Sequence, residues 1–66
     1  MKNRLKVERA ILDLTQEELA NKIGVSRQTI NSIEKNRYIP STVLALKLSR
    51  LFSKPVNDFF VLEDQD

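Results

Sequence analysis

The sequence has no cysteine, no histidine and no tryptophan, and it contains one glycine and two prolines. Without cysteine, neither a disulfide nor a thiolate metal site is available. Without histidine, the chain lacks the commonest metal ligand and the usual general base. The sequence also has no glycine-rich phosphate loop. We therefore expect a protein that is not an enzyme, with no metal and no cofactor.

Long apolar runs are absent as well. The longest are four residues, at 43–46 and 59–62, whereas a membrane helix needs about 20. The basic N-terminus is followed by a charged helical pattern rather than by the apolar stretch of a signal peptide. We expect one cytoplasmic domain over residues 1–66. A chain this short buries only about 60% of its unfolded surface, which favours association with a second copy.

The net charge of +2 conceals an uneven distribution. Residues 22–54 carry seven basic side chains and one acidic side chain, Glu34, whereas residues 55–66 carry four acidic side chains and no basic one. A basic central segment is typical of a nucleic-acid binder. Charge alone is equally consistent with a basic, solvated surface.

Apolar periodicity and capping residues predict a mostly helical chain. Thr15 and Glu18 form a capping box at the start of the second helix, and Ser26 and Ser41 are N-caps of the third and fourth. Val7, Ala10 and Ile11 are expected to broaden the apolar face of the first helix. Helices are predicted at about residues 3–12, 15–24, 26–35, 41–52 and 55–60, and residues 61–66 are either a short strand or a frayed tail.

The second and third helices are joined by a short turn with five specific requirements. Ala20 is small where the helices cross, Gly24 tolerates a positive φ, and Val25 fills the elbow. Ile30 and Ile33 pack the third helix onto the first two. All five stand at the spacing that a helix-turn-helix requires, at about residues 16–35.

The run from Leu14 to Ala20, followed by the run from Ile23 to Glu34, resembles the Cro/cI-type (Xre-like) helix-turn-helix regulators. The resemblance covers about residues 3–60, and the chain looks most similar to the short dimeric repressors of the cytolysin-operon type. It implies an all-α, compact five-helix fold of the lambda-repressor type. It also implies a homodimer that binds a palindromic operator in double-stranded DNA, with the third helix in the major groove.

The outward face of the third helix supplies the candidate base readers, because Ile30 and Ile33 face inward. Arginine pairs with guanine, and glutamine or asparagine with adenine. Alternatively, Arg27 contacts only a phosphate of the DNA backbone. The residues predicted to contact bases are Arg27, Gln28, Asn31 and Ser32.

Contacts to the DNA backbone are expected on both sides of this helix. Gln16 stands at a helix start, where its side chain and the free N–H groups suit a phosphate; alternatively, it is only a helix-start residue. Thr29 either contacts DNA or only completes its helical turn, and Tyr38 either holds the backbone or packs at the core edge. The predicted backbone contacts are Gln16, Ser26, Thr29, Lys35, Asn36, Arg37 and Tyr38. A solvated basic face is expected at Lys47, Arg50 and Lys54.

The resemblance implies two further groups of residues. Arg9 and Glu34 form a structural salt bridge between the first and third helices. The dimer interface comprises Ile39, Pro40, Val56 and Phe60. Alternatively, Val56 and Phe60 complete the core of the monomer, as Phe59 is expected to do.

A different class of function competes with DNA binding. An antitoxin or accessory module uses the same fold to hold a protein partner. Such a module would expose apolar residues on the third helix, whereas this helix exposes Arg27, Gln28, Asn31 and Ser32. The sequence therefore favours DNA binding, and repression rests on the resemblance alone.

Overall fold

Four α-helices and a two-stranded antiparallel sheet form the fold in a computed structural model, which describes residues 1–66. None of the four helices combines the length and the apolar character that a membrane span requires. In chain order the elements are β1 (Lys2–Asn3), α1 (Leu5–Ile11), α2 (Gln16–Ile23), α3 (Arg27–Glu34), α4 (Thr42–Phe52), a 3-10 turn (Val56–Asp58) and β2 (Phe60–Val61).

The C-terminal region departs from the predicted fifth helix. Residues 55–60 contain only one 3-10 turn, because Phe60 leaves the helical path and pairs with Asn3 in the sheet. The Arg4 N–H also donates to the Phe59 carbonyl at 2.8 Å. The short C-terminal strand is therefore present, but the all-α prediction missed its partner β1. The five-helix count is wrong in this structure.

The two chain ends meet beyond the sheet. The N-terminal amine of Met1 lies 3.0 Å from Glu63 Oε1 and 3.0 Å from Asp66 Oδ2. Its hydrogen bond to Glu63, reinforced by the one to Asp66, raises the pKa of this amine above its ordinary value. Residues 61–66 thus fold back over the start of the chain rather than fraying.

One hydrophobic core joins all four helices to the C-terminal segment. Phe59 is fully buried at its centre. Its ring meets Phe52 edge-on with centroids 5.1 Å apart, and its centroid also lies 5.1 Å from that of Phe60. Such aromatic pairs add about 0.5–1.5 kcal/mol each beyond simple burial. The core lies behind α3 and supports it from the side away from its exposed face.

Helix α1 packs differently from the prediction. Val7, Ala10 and Ile11 are exposed, so the expected broad apolar face is wrong. Glu8 faces inward instead, only 4% exposed. Lys54 Nζ lies 2.7 Å from Glu8 Oε1, so Lys54 is an ion-pair partner and not part of a solvated face. A carboxylate inside the fold needs such a partner, and this pair ties α1 to the end of α4.

The predicted caps fix the helix starts. Thr15 Oγ1 accepts from the Glu18 N–H at 3.0 Å, and the Glu18 carboxylate accepts from the Thr15 N–H at 2.9 Å. The latter hydrogen bond holds the pKa of Glu18 below its ordinary value. Ser26 and Ser41 each accept from the N–H three residues onward, at 3.2 Å. These bonds satisfy N–H groups that the helices leave unpaired.

All four helices end in the same way, with a left-handed residue just past the last turn. These residues are Asp13, Gly24, Asn36 and Ser53, with φ of 55°, 73°, 59° and 56°. The left-handed residue turns the next N–H back onto a carbonyl of the last turn. Only the ending of α2 uses the residue that adopts this conformation without cost.

Replacing Gly24 with alanine tests the conformational demand at the turn. A Cβ at this position would meet nothing within 4 Å, so the only penalty is the positive φ. We expect Gly24→Ala to lower the free energy of unfolding by about 1–2 kcal/mol in urea denaturation. Gly24→Asn, the matched control, should lose less because asparagine tolerates this conformation. Wild-type stability in the alanine variant would contradict the argument.

Candidate nucleic-acid interface

The turn between α2 and α3 sets the direction of the exposed helix. Ala20 is buried at the crossing, and the Val25 N–H donates to the Ala20 carbonyl at 3.0 Å. Gly24 makes the left-handed turn between them. Ile30 and Ile33 anchor α3 in the core, which turns its opposite face to solvent.

The four predicted base readers share this solvent-facing side. Arg27 and Gln28 are exposed, and Asn31 and Ser32 are half-buried. One shallow groove beside α3 has no apolar and no acidic side chain; it is lined by Arg27, Gln28, Asn31 and Lys35. A second groove, along the other flank, is lined by Gln28, Thr29, Ser32, Arg37 and Tyr38. The two grooves together contain eight of the eleven residues predicted to contact DNA. Two more, Ser26 and Asn36, stand at the two ends of α3.

Helix α3 begins with two hydroxyls that bond to each other. Ser26 Oγ lies 3.0 Å from Thr29 Oγ1, and it also accepts from the Thr29 N–H. Thr29 is half-buried and completes the first turn, as one of its two sequence interpretations proposed. Both hydroxyls are thus engaged in capping.

The loop after α3 is held by a residue that sequence reasoning missed. Asn3 Nδ2 donates to the Ile33 carbonyl and to Asn36 Oδ1, both at 2.8 Å. Asn36 takes the left-handed position, and the Arg37 N–H donates to the Ser32 carbonyl at 2.9 Å. The Asn3 side chain also accepts locally from the Leu5 N–H at 3.1 Å. No local signal marks its hold on the loop, because those two partners lie 30 and 33 residues away.

Tyr38 stays outside the hydrophobic core. Its surface is 47% exposed, and its ring borders the groove that also contains Arg37. Lys35 and Arg37 are exposed too, and neither forms an ion pair. This leaves two cations and a phenol beside α3, a combination that suits phosphate oxygens.

A hydrogen-bonded network lies behind the exposed face. Arg9 Nε is 2.9 Å from Glu34 Oε2, and Arg9 Nη2 is 3.3 Å from Glu34 Oε1. Arg9 Nη1 also donates to the Leu14 carbonyl at 2.8 Å. The Glu34 side chain is only 7% exposed, so this two-pronged pair is largely shielded from water. The pair joins α1 to the end of α3.

Gln16 joins this network instead of pointing freely into solvent. Its Nε2 donates to Glu34 Oε1 at 3.2 Å and to Asn31 Oδ1 at 3.3 Å. Both N–H bonds of the amide are therefore used within the protein. The Gln16 side chain is therefore not free for the phosphate contact predicted for it, and the backbone N–H groups at the start of α2 remain as candidate donors.

An apolar groove lies on another part of the surface. All four residues of the predicted interface line it: Ile39, Pro40, Val56 and Phe60. Met1 and Leu46 line it as well. Ile39 is 69% exposed, whereas Phe60 is 7% exposed and belongs to the core, so Phe60 supports the groove more than it offers free surface. Leu46 was missed because an apolar run does not reveal which of its members face outward.

Comparisons with known proteins agree with this geometry. The model of the family HTH_3, described as helix-turn-helix, matches residues 5–59. The chain is 53% identical over 66 residues to a protein of Methanocaldococcus jannaschii named as an uncharacterized HTH-type transcriptional regulator, with full coverage of both chains. A Bacillus subtilis protein of the same description is 46% identical, also with full coverage of both. One from Archaeoglobus fulgidus is 44% identical, covering all of this chain and 94% of the relative.

Removing Glu34 tests the network as a structural element. Glu34→Ala leaves the Arg9 guanidinium without its partner, and we expect a loss of roughly 3 kcal/mol in unfolding free energy, seen as a large drop in Tm. Asp64→Ala, which removes an exposed carboxylate from the tail, is the matched control and should leave Tm near wild type. Equal Tm values for the two variants would contradict a structural role for the Arg9–Glu34 network.

Proposed function

The chain belongs to the helix-turn-helix family HTH_3, and we propose that it is a sequence-specific transcriptional repressor that binds a palindromic operator as a homodimer. Membership of this family, with relatives named as transcriptional regulators, makes it a DNA-binding regulator. The operator symmetry, the dimer and the direction of regulation are the proposed parts.

The exposed face of α3 is the observation that carries the proposal. It combines Arg27, Gln28 and Asn31, side chains whose hydrogen-bonding groups match base edges in the major groove. A face built to hold a protein partner would present apolar side chains, and this face presents none in its groove. The cations Lys35 and Arg37 flank it, where they attract phosphates.

The apolar groove supports the dimer. A second copy that covered Ile39 and Leu46 would remove two large, exposed apolar side chains from water. Two copies related by a two-fold axis would present two α3 helices to successive major grooves about 34 Å apart, one turn of DNA. Repression then requires only that the bound dimer exclude other proteins from the operator.

Selection of bound sequences from random duplex DNA tests the whole proposal. We expect an enriched palindrome whose half-sites are centred about one helical turn apart. An enriched single half-site would contradict dimeric binding. No enrichment, together with a stable complex with a partner protein, would favour an interaction module such as an antitoxin.

Gln28→Ala tests base reading. The variant should bind the enriched site more weakly by roughly 1–3 kcal/mol, while salt-sensitive binding to unrelated DNA is retained. Titrations of both duplexes at fixed ionic strength measure the difference. Equal weakening on every sequence would make Gln28 a backbone contact.

Ile39→Glu tests the interface. Wild-type protein should sediment at twice the monomer mass at micromolar concentration, and Ile39→Glu at the monomer mass, because a buried charge opposes association. Ile11→Glu is the matched control, since Ile11 is 62% exposed on α1 and lies outside the apolar groove. A wild-type monomer, or dissociation in both variants, would reject this interface.

A further inference from the structure

The network behind α3 reaches the DNA-facing surface through one atom of Asn31. The chain of contacts runs from Arg9 to Glu34, then to Gln16, and ends at Asn31 Oδ1. Asn31 lies among the proposed base readers, whereas the other three lie behind them. A shielded ion pair is therefore connected to a side chain that faces the major groove.

The donors and acceptors in this chain have only one consistent assignment. The carboxylate of Glu34, paired with Arg9, only accepts hydrogen bonds. Gln16 must therefore turn its NH₂ group toward Glu34. The second N–H of that group points at Asn31. The acceptor must therefore be the Asn31 amide oxygen, in agreement with the 3.3 Å contact between Gln16 Nε2 and Asn31 Oδ1.

This assignment decides what Asn31 offers to DNA. With its oxygen held toward α2, the side chain presents its two N–H donors to the groove. Besides Asn31, the groove is lined by the donors of Arg27 and Lys35 and by the Gln28 amide, and it has no carboxylate. This surface is therefore complementary to hydrogen-bond acceptors. Guanine is the base whose major-groove edge has two acceptors, N7 and O6.

We propose that Glu34, acting through Gln16, fixes Asn31 as a hydrogen-bond donor, so that Asn31 reads guanine and not adenine. The usual pairing of asparagine with adenine needs the amide oxygen to accept from the N6 amino group. Here the bond from Gln16 turns that oxygen toward α2 and away from the groove. Gln16 and Glu34 are positioning residues, and the inference rests on the proposed binding of DNA through α3.

The test compares base preferences of three proteins in selection from random duplexes. Asn31→Ala identifies the base pair that Asn31 reads, because only that position should lose its preference. In the wild type this pair should be G·C, favoured about tenfold over A·T. In Gln16→Met, which keeps the length of the side chain but has no N–H, the Asn31 amide is free to turn over. Most of the tenfold preference should then disappear at this pair alone.

Two controls separate positioning from general damage. Gln28→Met removes an amide of the same length from α3 itself, and it should change a different position and leave the Asn31 pair intact. Replacing the guanine by 7-deazaguanine removes the N7 acceptor without altering the protein, and it should weaken wild-type binding severalfold. Gln16→Met removes one hydrogen bond from Glu34 but retains the Arg9–Glu34 pair, so its Tm should fall by less than that of Glu34→Ala.

The outcomes distinguish failure of this inference from failure of the proposed DNA-binding function on which it rests. An A·T pair at the Asn31 position, an unchanged preference in Gln16→Met, or indifference to 7-deazaguanine would each overturn the inference while leaving DNA binding in place. If the wild type enriches no sequence at all, the proposed function fails and the inference fails with it.

Discussion

The position of α3 depends on one carboxylate. Glu34 stands at the end of α3 and takes hydrogen bonds from Arg9 of α1 and Gln16 of α2. A shielded charge is costly unless it is fully paired, so the three helices must meet in the single arrangement that satisfies it. Apolar packing by Ile30 and Ile33 brings α3 to the core, but such packing is not directional. The carboxylate supplies the direction.

The same principle explains why α1 looks unlike an ordinary amphipathic helix. It has seven residues, and two of its inward contacts are charged: Glu8 with Lys54 and Arg9 with Glu34. These pairs connect α1 to the ends of α4 and α3. Because polar partners hold the helix, its apolar residues Val7 and Ile11 are left on the surface. A short helix is thus fixed by specific contacts rather than by a wide apolar stripe.

Local features of the fold were readable from the sequence, and features that depend on distant residues were not. The capping box at Thr15, the cap at Ser26 and the turn at Gly24 each rest on residues a few positions apart, and all are present. The strand β1, the loss of the fifth helix and the role of Lys54 each depend on partners more than 40 residues away. The left-handed residues other than Gly24 gave no signal, because aspartate and asparagine tolerate that conformation without requiring it and serine adopts it rarely. Within the candidate site, residue types indicated which face of α3 is exposed. Only the three-dimensional structure shows that the amide oxygen of Asn31 is already hydrogen-bonded.

The bonds from Asn3 to the end of α3 give the sheet a consequence for folding order. Asn3 is placed by its pairing with Phe60, so the loop after α3 is secured only when the two ends of the chain have come together. Closing so long a loop carries an entropic cost that the local helices and turns do not. Opening of the β1–β2 pair should then also loosen the loop after α3, so the exposed face of α3 is coupled to the meeting of the two chain ends.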